Sequence, residues 1–306
     1  MGLDRESIEA SEAFHTQWYY LLELAPGLWS PGREQGNIAL TRELLRQVDV
    51  RGARCLDVGT QEAMVPILLG RRGAGGMVAY DRILRRKQLD LVRDALDADF
   101  NYVGDFPLAQ LPASTREGGP FDVVVFSGVL YHMFDPLAGL AIVRGLVRNG
   151  GILVIETEVI FDDSVAMHFN RRGRFDDYSF WYVSVPCVEY LLGLVRLQPL
   201  EMIHFAPREM RPGDPPRTRM AVACRAIAEH ADATDPLVQT MHEGPDFPEF
   251  LDWGFVSSSR PEVGFKQVRE GVQREDGSFD LWATAREAEP YRLTPEWMRL
   301  PLDADY

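Results

Sequence analysis

The chain is predicted to be an α/β protein, an open and mostly parallel sheet of about seven strands with helices on both faces. Three observations carry this. Apolar strand-length runs alternate with helix-length amphipathic segments through the central half of the sequence, the pattern of successive βαβ units. The run Val123-Val124-Val125-Phe126 is apolar at every position, as a strand covered on both faces requires. The run Cys55-Leu56-Asp57-Val58-Gly59 ends in an acid and a glycine directly ahead of a helix-compatible stretch, the place where such sheets hold ligands.

The elements follow in order. The segment Glu12–Gly32 is rich in aromatics and reads as a helix packed on the sheet, or as a lid over a substrate. Arg54–Val58 is a buried strand, and Gln61–Arg72 the helix after it. Met77–Tyr80 is the second strand, followed by helical periodicity from Ile83 to Leu96. Phe100–Val103 and Phe121–Ser127 are the third and fourth strands. Pro136–Arg148 is a helix with proline in its first turn and Asn149-Gly150-Gly151 at its end. Ile152–Thr157 is the fifth strand and Ser184–Arg196 a helix. Leu200–Phe205 and Thr218–Ile227 are strands joined by the Pro/Arg/Gly-rich loop Pro207–Arg217. Glu229–Pro245 reads as a linker or long loop. The tail beyond it carries Phe247, Phe250, Trp253 and Phe255, with a hairpin expected from Val268–Arg274 and Phe279–Ala285 around Asp276-Gly277. The expected organisation is an N-terminal helical or lid segment over 1–50, a core over 51–228 and an extension over 229–306.

Composition narrows the function. With 306 residues, 46% hydrophobic and 25% charged, the chain can bury a full core. No run approaches the roughly 20 apolar residues that span a bilayer, and the first ten residues lack the apolar stretch of a secretory signal. Cys55, Cys187 and Cys224 are scattered, as reduced packing cysteines in a cytoplasm are, without the spacing of a disulfide framework or zinc site. The remaining histidines (His15, His168, His204, His230, His242) show no metal-like spacing, so no metal is expected. A net charge of −14 opposes binding to a phosphate backbone, and nucleic acid is disfavoured as a partner. Arg85-Arg86-Lys87 is read as a solvated helix face.

A strand-to-helix turn presents backbone N–H groups and a positive helix end to a ligand. A dinucleotide site would need the fuller G-x-G-x-x-G pattern, so that a pyrophosphate can approach. Here only Gly59 is present, followed by Thr60-Gln61-Glu62-Ala63. S-adenosylmethionine (SAM) has no phosphate, and one close backbone approach suffices for it. Asp81 directly follows the second strand, where an acid can accept both ribose hydroxyls. Asp105 and Phe106 follow the third, where a carboxylate can take an adenine amino group and an aromatic ring can cover its face. With Asp57, Gly59, Thr60, Arg82 and Ser127 they form the expected cofactor set.

The block from Phe121 through Gly128-Val129-Leu130-Tyr131-His132, with Gly150-Gly151 leading into Ile155-Glu156-Thr157-Glu158, resembles the class I SAM-dependent methyltransferases. Within them it is similar to the tRNA wobble-uridine carboxymethyltransferase-like group. Trp18-Tyr19-Tyr20 through Ser30-Pro31-Gly32 matches that group's lead-in segment loosely, and Phe180-Trp181 and Val185-Pro186 match a later stretch. The resemblance covers roughly residues 15–227 and implies a Rossmann-like class I methyltransferase fold, with SAM as cofactor and S-adenosylhomocysteine as product. Two departures stand out. The carboxymethyl-transferring members carry a lysine in the lead-in segment and a basic pair after Tyr-His. Here Trp29–Gln35 offers Arg33 but no lysine, and Met133-Phe134 follow His132. A carboxylate buried without a cationic partner is expensive. Plain SAM, methyl transfer and a small-molecule acceptor, as in biosynthesis, are therefore expected. The alternatives are a tRNA wobble-uridine modifying transferase and a non-catalytic SAM-fold binding protein.

Methyl transfer from a sulfonium asks the enzyme to align the acceptor and take up its proton. His132 after the fourth strand is a candidate base, although in the family reading Tyr131-His132 shapes the pocket instead. Glu156 and Glu158 are expected on opposite faces of the fifth strand, one of them toward the acceptor. Trp18, Tyr20, Trp29, Met133, Tyr178 and Trp181 are candidate walls for the acceptor, or core. A monomer or homodimer is expected.

Overall fold

The computed structural model describes residues 2–170, 179–227 and 260–302. Seven strands run along one sheet: β1 Arg54–Val58, β2 Gly76–Asp81, β3 Asn101–Gly104, β4 Phe121–Ser127, β5 Val147–Ile160, β6 Leu197–His204 and β7 Arg217–Ala226. Their order is β6-β7-β5-β4-β1-β2-β3. β1 to β5 are parallel, and β7 runs antiparallel to both β5 and β6. The chain winds outward from β1 in both directions, so β1 and β4 meet at the point where the strand order reverses. The register places Val58 beside Phe126 and Tyr80, Asp81 beside Gly104, and Ser127 beside Glu156. The residues expected to bind therefore end in one row along the carboxyl edge.

Helices cover both faces. On one side α1 (Gly36–Leu45) packs Ile38, Leu40 and Leu44 with Cys55, Val123, Val125, Val154 and Ala221. On the other, α5 (Pro136–Leu146) and α6 (Val185–Leu194) cover Leu56, Val124, Phe126, Leu153 and Ile155. Between them in the chain lie α2 (Met64–Arg71), α3 (Arg86–Leu96) and the short α4 (Leu111–Thr115). α3 is amphipathic and buries Gln88, Leu89, Leu91, Val92 and Ala95. α5 starts at Pro136 under the side chain of Asp135, which accepts from Ala138 N at 3.0 Å.

Several boundaries differ from expectation, each for a local reason. The Glu12–Gly32 segment is not one helix. It holds a 3₁₀ turn at Glu12–His15 and a hairpin of Glu23–Ala25 with Leu28–Trp29, because Pro26-Gly27 turns the chain there with Gly27 at φ 70°. α2 starts at Met64, after Gln61 and Ala63 have taken left-handed backbone. α3 starts at Arg86, after the loop beyond Asp81. α5 stops at Leu146, and β5 begins at Val147. Asn149-Gly150-Gly151 forms an irregularity inside β5, with Gly150 at φ 76° and the register against β4 jumping from Phe121↔Val147 to Val123↔Ile152. Two short strands were not foreseen, Met167–Phe169 and Trp181–Ser184, the second pairing with the end of β5.

The expected tail hairpin is reduced to a single bridge, Gln273↔Phe279. Its second arm is instead helix α7 (Leu281–Glu287), because Asp280 caps it by accepting from Ala283 N at 2.8 Å. Glu229–Pro245 and the aromatics Phe247, Phe250, Trp253 and Phe255 lie outside the described residues. From Arg260 the chain first straps the amino edge of the sheet, with Val263 N donating to Gly150 O at 2.9 Å and Asp49 N to Gly264 O at 2.8 Å. It then crosses to the carboxyl edge, where Tyr291 N donates to His204 O at 2.7 Å. There it zips onto the N-terminal segment through Leu300, which exchanges hydrogen bonds with Leu21 O and Glu23 N. The buried Arg42 fixes this crossing, donating to the carbonyls of Glu296, Trp297 and Arg299. No helix among the described residues is long and apolar enough to cross a membrane.

Candidate functional site

The site begins at the turn after β1. Gly59 N and Thr60 N both donate to Tyr80 O, at 2.8 and 3.1 Å. Gly59 has φ 87°, and a Cβ there would stand 2.5 Å from Val129 Cγ2, so no other residue fits. Gln61 and Ala63 also have positive φ, 51° and 63°. Gln61 occupies the position that the second glycine holds in a dinucleotide fingerprint. The glycine turn's backbone path is kept without that glycine, at a conformational cost of roughly 1–3 kcal/mol per strained residue.

Asp81 steadies this turn. Its two oxygens accept from Gln61 N at 3.1 Å and Ile83 N at 3.2 Å. One acceptance per oxygen leaves lone pairs for two more donors, as a ribose diol requires. Burial raises its pKa, and the backbone bonds from Ile83 and Gln61 draw it back down. Asp57 lies deeper, 3% exposed, and burial pushes its carboxyl up to about 7, opposed by the Thr60 hydroxyl and reinforced by Asp81. At the end of β3, Phe106 sets its ring 5.5 Å from that of Tyr80, whose hydroxyl donates to Phe106 O. Asp105 has a bracing role: it accepts from Leu84 N at 2.9 Å and pairs with Arg86 at 2.6 Å in the open. Arg82 is exposed beside Asp81. This donor set fits SAM: a glycine turn without pyrophosphate room, an acid with spare lone pairs after β2, and an aromatic ring after β3.

Farther along the edge lies a buried polar cluster. Glu156 is fully buried, and Arg219 of β7 closes on both its oxygens, Nε to Oε1 at 2.6 Å and a terminal nitrogen to Oε2 at 2.9 Å. The same Arg219 nitrogen donates to the Tyr131 hydroxyl at 3.1 Å. Burial raises the Tyr131 phenol to about 12 against the pull of Arg219. Ser127 shares a 2.7 Å hydrogen bond with Thr41 and reaches Glu156 at 3.4 Å. Asn37 donates to the Tyr19 hydroxyl at 3.4 Å. Gly128, at φ 71°, leaves the floor of the cluster open.

Glu156 and Glu158 do not project to opposite faces. Two residues apart on a strand, they share one face, where Glu156 meets Arg219 and Glu158 meets Arg217 at 3.0 Å in diagonal cross-strand pairs. Both carboxylates are thus engaged by arginines. His132 stands exposed at the lip, its ring 4.2 Å from that of Tyr131.

The aromatic candidates separate. Trp18 is 4% exposed and donates its indole N–H to Ala13 O at 3.0 Å, a core placement that removes it from the acceptor's walls. Tyr20 is buried beneath Tyr19 and held by its backbone, since Glu62 accepts from both Tyr19 N and Tyr20 N. Trp29 is half-buried under Arg299 of the tail. Met133 packs on Gly139 of α5. Trp181 donates to Phe134 O at 2.9 Å and stacks edge-on with Phe169 at the rim. Tyr178 lies outside the described residues. Among those described, no group of three acidic, histidine or cysteine side chains is placed to hold a metal.

The residues that sequence reasoning missed are Tyr19, Asn37, Thr41, Glu62, Arg85 and Arg219. Glu62 and Arg85 pair at 3.2 Å and tie the N-terminal segment down, Arg85 also donating to Gln17 O. For Arg219 a signal existed. Arg217-Thr218-Arg219 precedes the apolar run Met220–Cys224 and mirrors Glu156-Thr157-Glu158, so two charged triplets of opposite sign were there to be paired.

Comparison with known proteins agrees with this geometry. A methyltransferase domain family model matches residues 33–189. The tRNA U34 carboxymethyltransferase of Methylococcus capsulatus is 28% identical over 192 residues, 60% of this chain and 56% of that protein. The enzyme of the same name from Psychrobacter arcticus is 26% identical over 199 residues, 61% of this chain and 55% of that protein. The chain thus spans about half the length of these curated relatives. Among solved structures, the N-terminal domain of EvdMO1 with S-adenosylhomocysteine bound is similar at a TM-score of 0.53 and 17% identity, covering 74% of this chain and 98% of that one. The family match over half the sequence, the strand order and the carboxyl-edge site agree, and the chain belongs to the methyltransferase domain family, as a class I SAM-dependent methyltransferase.

Proposed function

We propose that the protein transfers the methyl group of unmodified SAM to an oxygen or nitrogen of a small-molecule acceptor. The observation that carries this is a cavity at the carboxyl edge. It has a volume of about 580 Å³ and is bounded by β7, the stretch after β6 and the tail around Tyr291, a volume suited to a small ligand. Asp81 would hold the ribose, Phe106 the adenine face, and the Gly59–Gln61 turn the backbone approach. Bound there, SAM supplies an electrophilic methyl whose bond to sulfur breaks as the acceptor's lone pair attacks, the electron pair leaving with sulfur.

The chain's own residues orient the site. The Arg219–Glu156 pair and Tyr131 fix the floor, and the tail around Tyr291 forms a wall. With both glutamates engaged by arginines, His132 is the exposed titratable group at the lip and the candidate for taking the acceptor's proton. The bidentate Glu156 already engages Arg219, the cation of this cluster.

A second reading rests on the names of the relatives, tRNA U34 carboxymethyltransferases. One experiment tests both: incubation with methyl-labelled SAM and either a panel of hydroxylated and amino acceptors or an anticodon stem-loop RNA. The first reading expects label only in small molecules, with turnover reduced about 10²–10⁴-fold in His132→Asn if the histidine is the base. Label in the RNA, with affinity falling steeply as salt rises, would favour the second.

A further inference from the structure

The cavity beside the transfer site carries a charge opposite in sign to the net charge of the chain. Its lining contains four arginines, Arg208, Arg217, Arg219 and Arg292, and one acid, Glu158. Two of these cations are matched: Arg219 by Glu156, which lies behind the wall, and Arg217 by Glu158. Arg208 and Arg292 form no ion pair with any other described residue. The cavity therefore holds an excess of two positive charges in a chain whose net charge is −14.

Backbone bonds fix the main chain at Arg208 and beside Arg292, and both side chains are exposed. Arg208 bridges Arg217 of β7 through a reciprocal pair of 2.9 Å hydrogen bonds. Arg292 follows Tyr291, whose N–H is fixed on the end of β6. Between them the rings of Phe205 and Tyr291 stand 6.2 Å apart and give the cavity an apolar wall. Arg219 belongs both to this lining and to the Tyr131–Glu156 cluster, so the cavity opens on the transfer site.

Resting on the reading that the chain methylates a small molecule, we infer that the acceptor carries an anionic group, a carboxylate or a phosphate, and that Arg208 and Arg292 bind it. Two guanidiniums on the lining of one cavity can give an anion the charge-assisted, forked hydrogen bonding that selects such groups. The apolar wall of Phe205 and Tyr291 receives the acceptor's body. Arg292 comes from the tail and Arg208 from the stretch after β6, so substrate selection is built from segments outside the parallel half of the sheet.

The test is titration calorimetry at low ionic strength on the full chain, with benzoate as carboxylate probe, inorganic phosphate as phosphate probe, and S-adenosylhomocysteine in parallel. Arg208→Ala, Arg292→Ala and the double variant are compared with the unaltered protein. The inference expects one probe or both to bind and to lose about tenfold or more in affinity in the double variant, while S-adenosylhomocysteine affinity stays within about twofold. Which probe binds more tightly assigns the anion. Equal probe binding by the double variant, or no probe binding by the unaltered chain, overturns the inference and leaves the methyltransferase reading standing. Arginine-dependent probe binding without S-adenosylhomocysteine binding upholds the anion site and removes the reading on which its role rests.

Discussion

Asp57 and Asp81 close adjacent strands, and their environments set them apart. Asp57 is enclosed, and burial pushes its folded pKa from the ordinary aspartate value of 3.8 up to about 7. A carboxyl whose pKa is raised by folding stabilises the fold least when both states are ionised. The destabilisation grows as pH rises from about 4 and is complete above about 7. Asp57→Asn should therefore gain on the unaltered protein at pH 8, by on the order of 1–4 kcal/mol, and lose that gain toward pH 4. Urea unfolding at the two pH values measures it, and an equal difference at both would contradict the assignment. Asp81 has lone pairs left after two backbone bonds, so Asp81→Ala should weaken S-adenosylhomocysteine binding by about 1–3 kcal/mol. Unchanged affinity would remove it from the ribose.

At the scale of elements, the pairing of β5 with β7 carries the buried charges. Removing one partner of such a pair strands the other, and Arg219→Ala should destabilise the fold by about 3–5 kcal/mol. The double change Arg219→Met with Glu156→Leu should recover most of that loss. A single variant as stable as its parent would show that Glu156 is not charged and paired as described. This pairing also marks where the sequence stopped being legible. The strands were readable because each is a short apolar run between turn residues, and the acids at the carboxyl edge because they follow strands directly. That Glu156 and Glu158 share a face follows from the strand period of two alone, which the expectation of opposite faces misapplied; their arginine partners lie on a strand some sixty residues away in the chain. Boundaries slipped where a side chain or a left-handed residue decided them, as at Gln61, Ala63 and Asp280. Asn37 and Thr41 had no local mark, since polar residues on a helix usually face water.

At the scale of the molecule, the described tail residues fold back onto their own chain. They strap the amino edge through Val263 and then cover the carboxyl edge from Tyr291 to Leu300, where Arg42 and the N-terminal segment hold them. The sheet positions the proposed cofactor contacts, and the tail bounds the cavity proposed for the acceptor. The central claim is that this edge binds SAM. Calorimetric titration of the full chain with S-adenosylhomocysteine tests it most directly. The structure predicts saturable binding at one site per chain, weakened in Gly59→Val, whose added side chain would collide with Val129. Absence of binding by the unaltered protein, or binding indifferent to Gly59→Val, would contradict it.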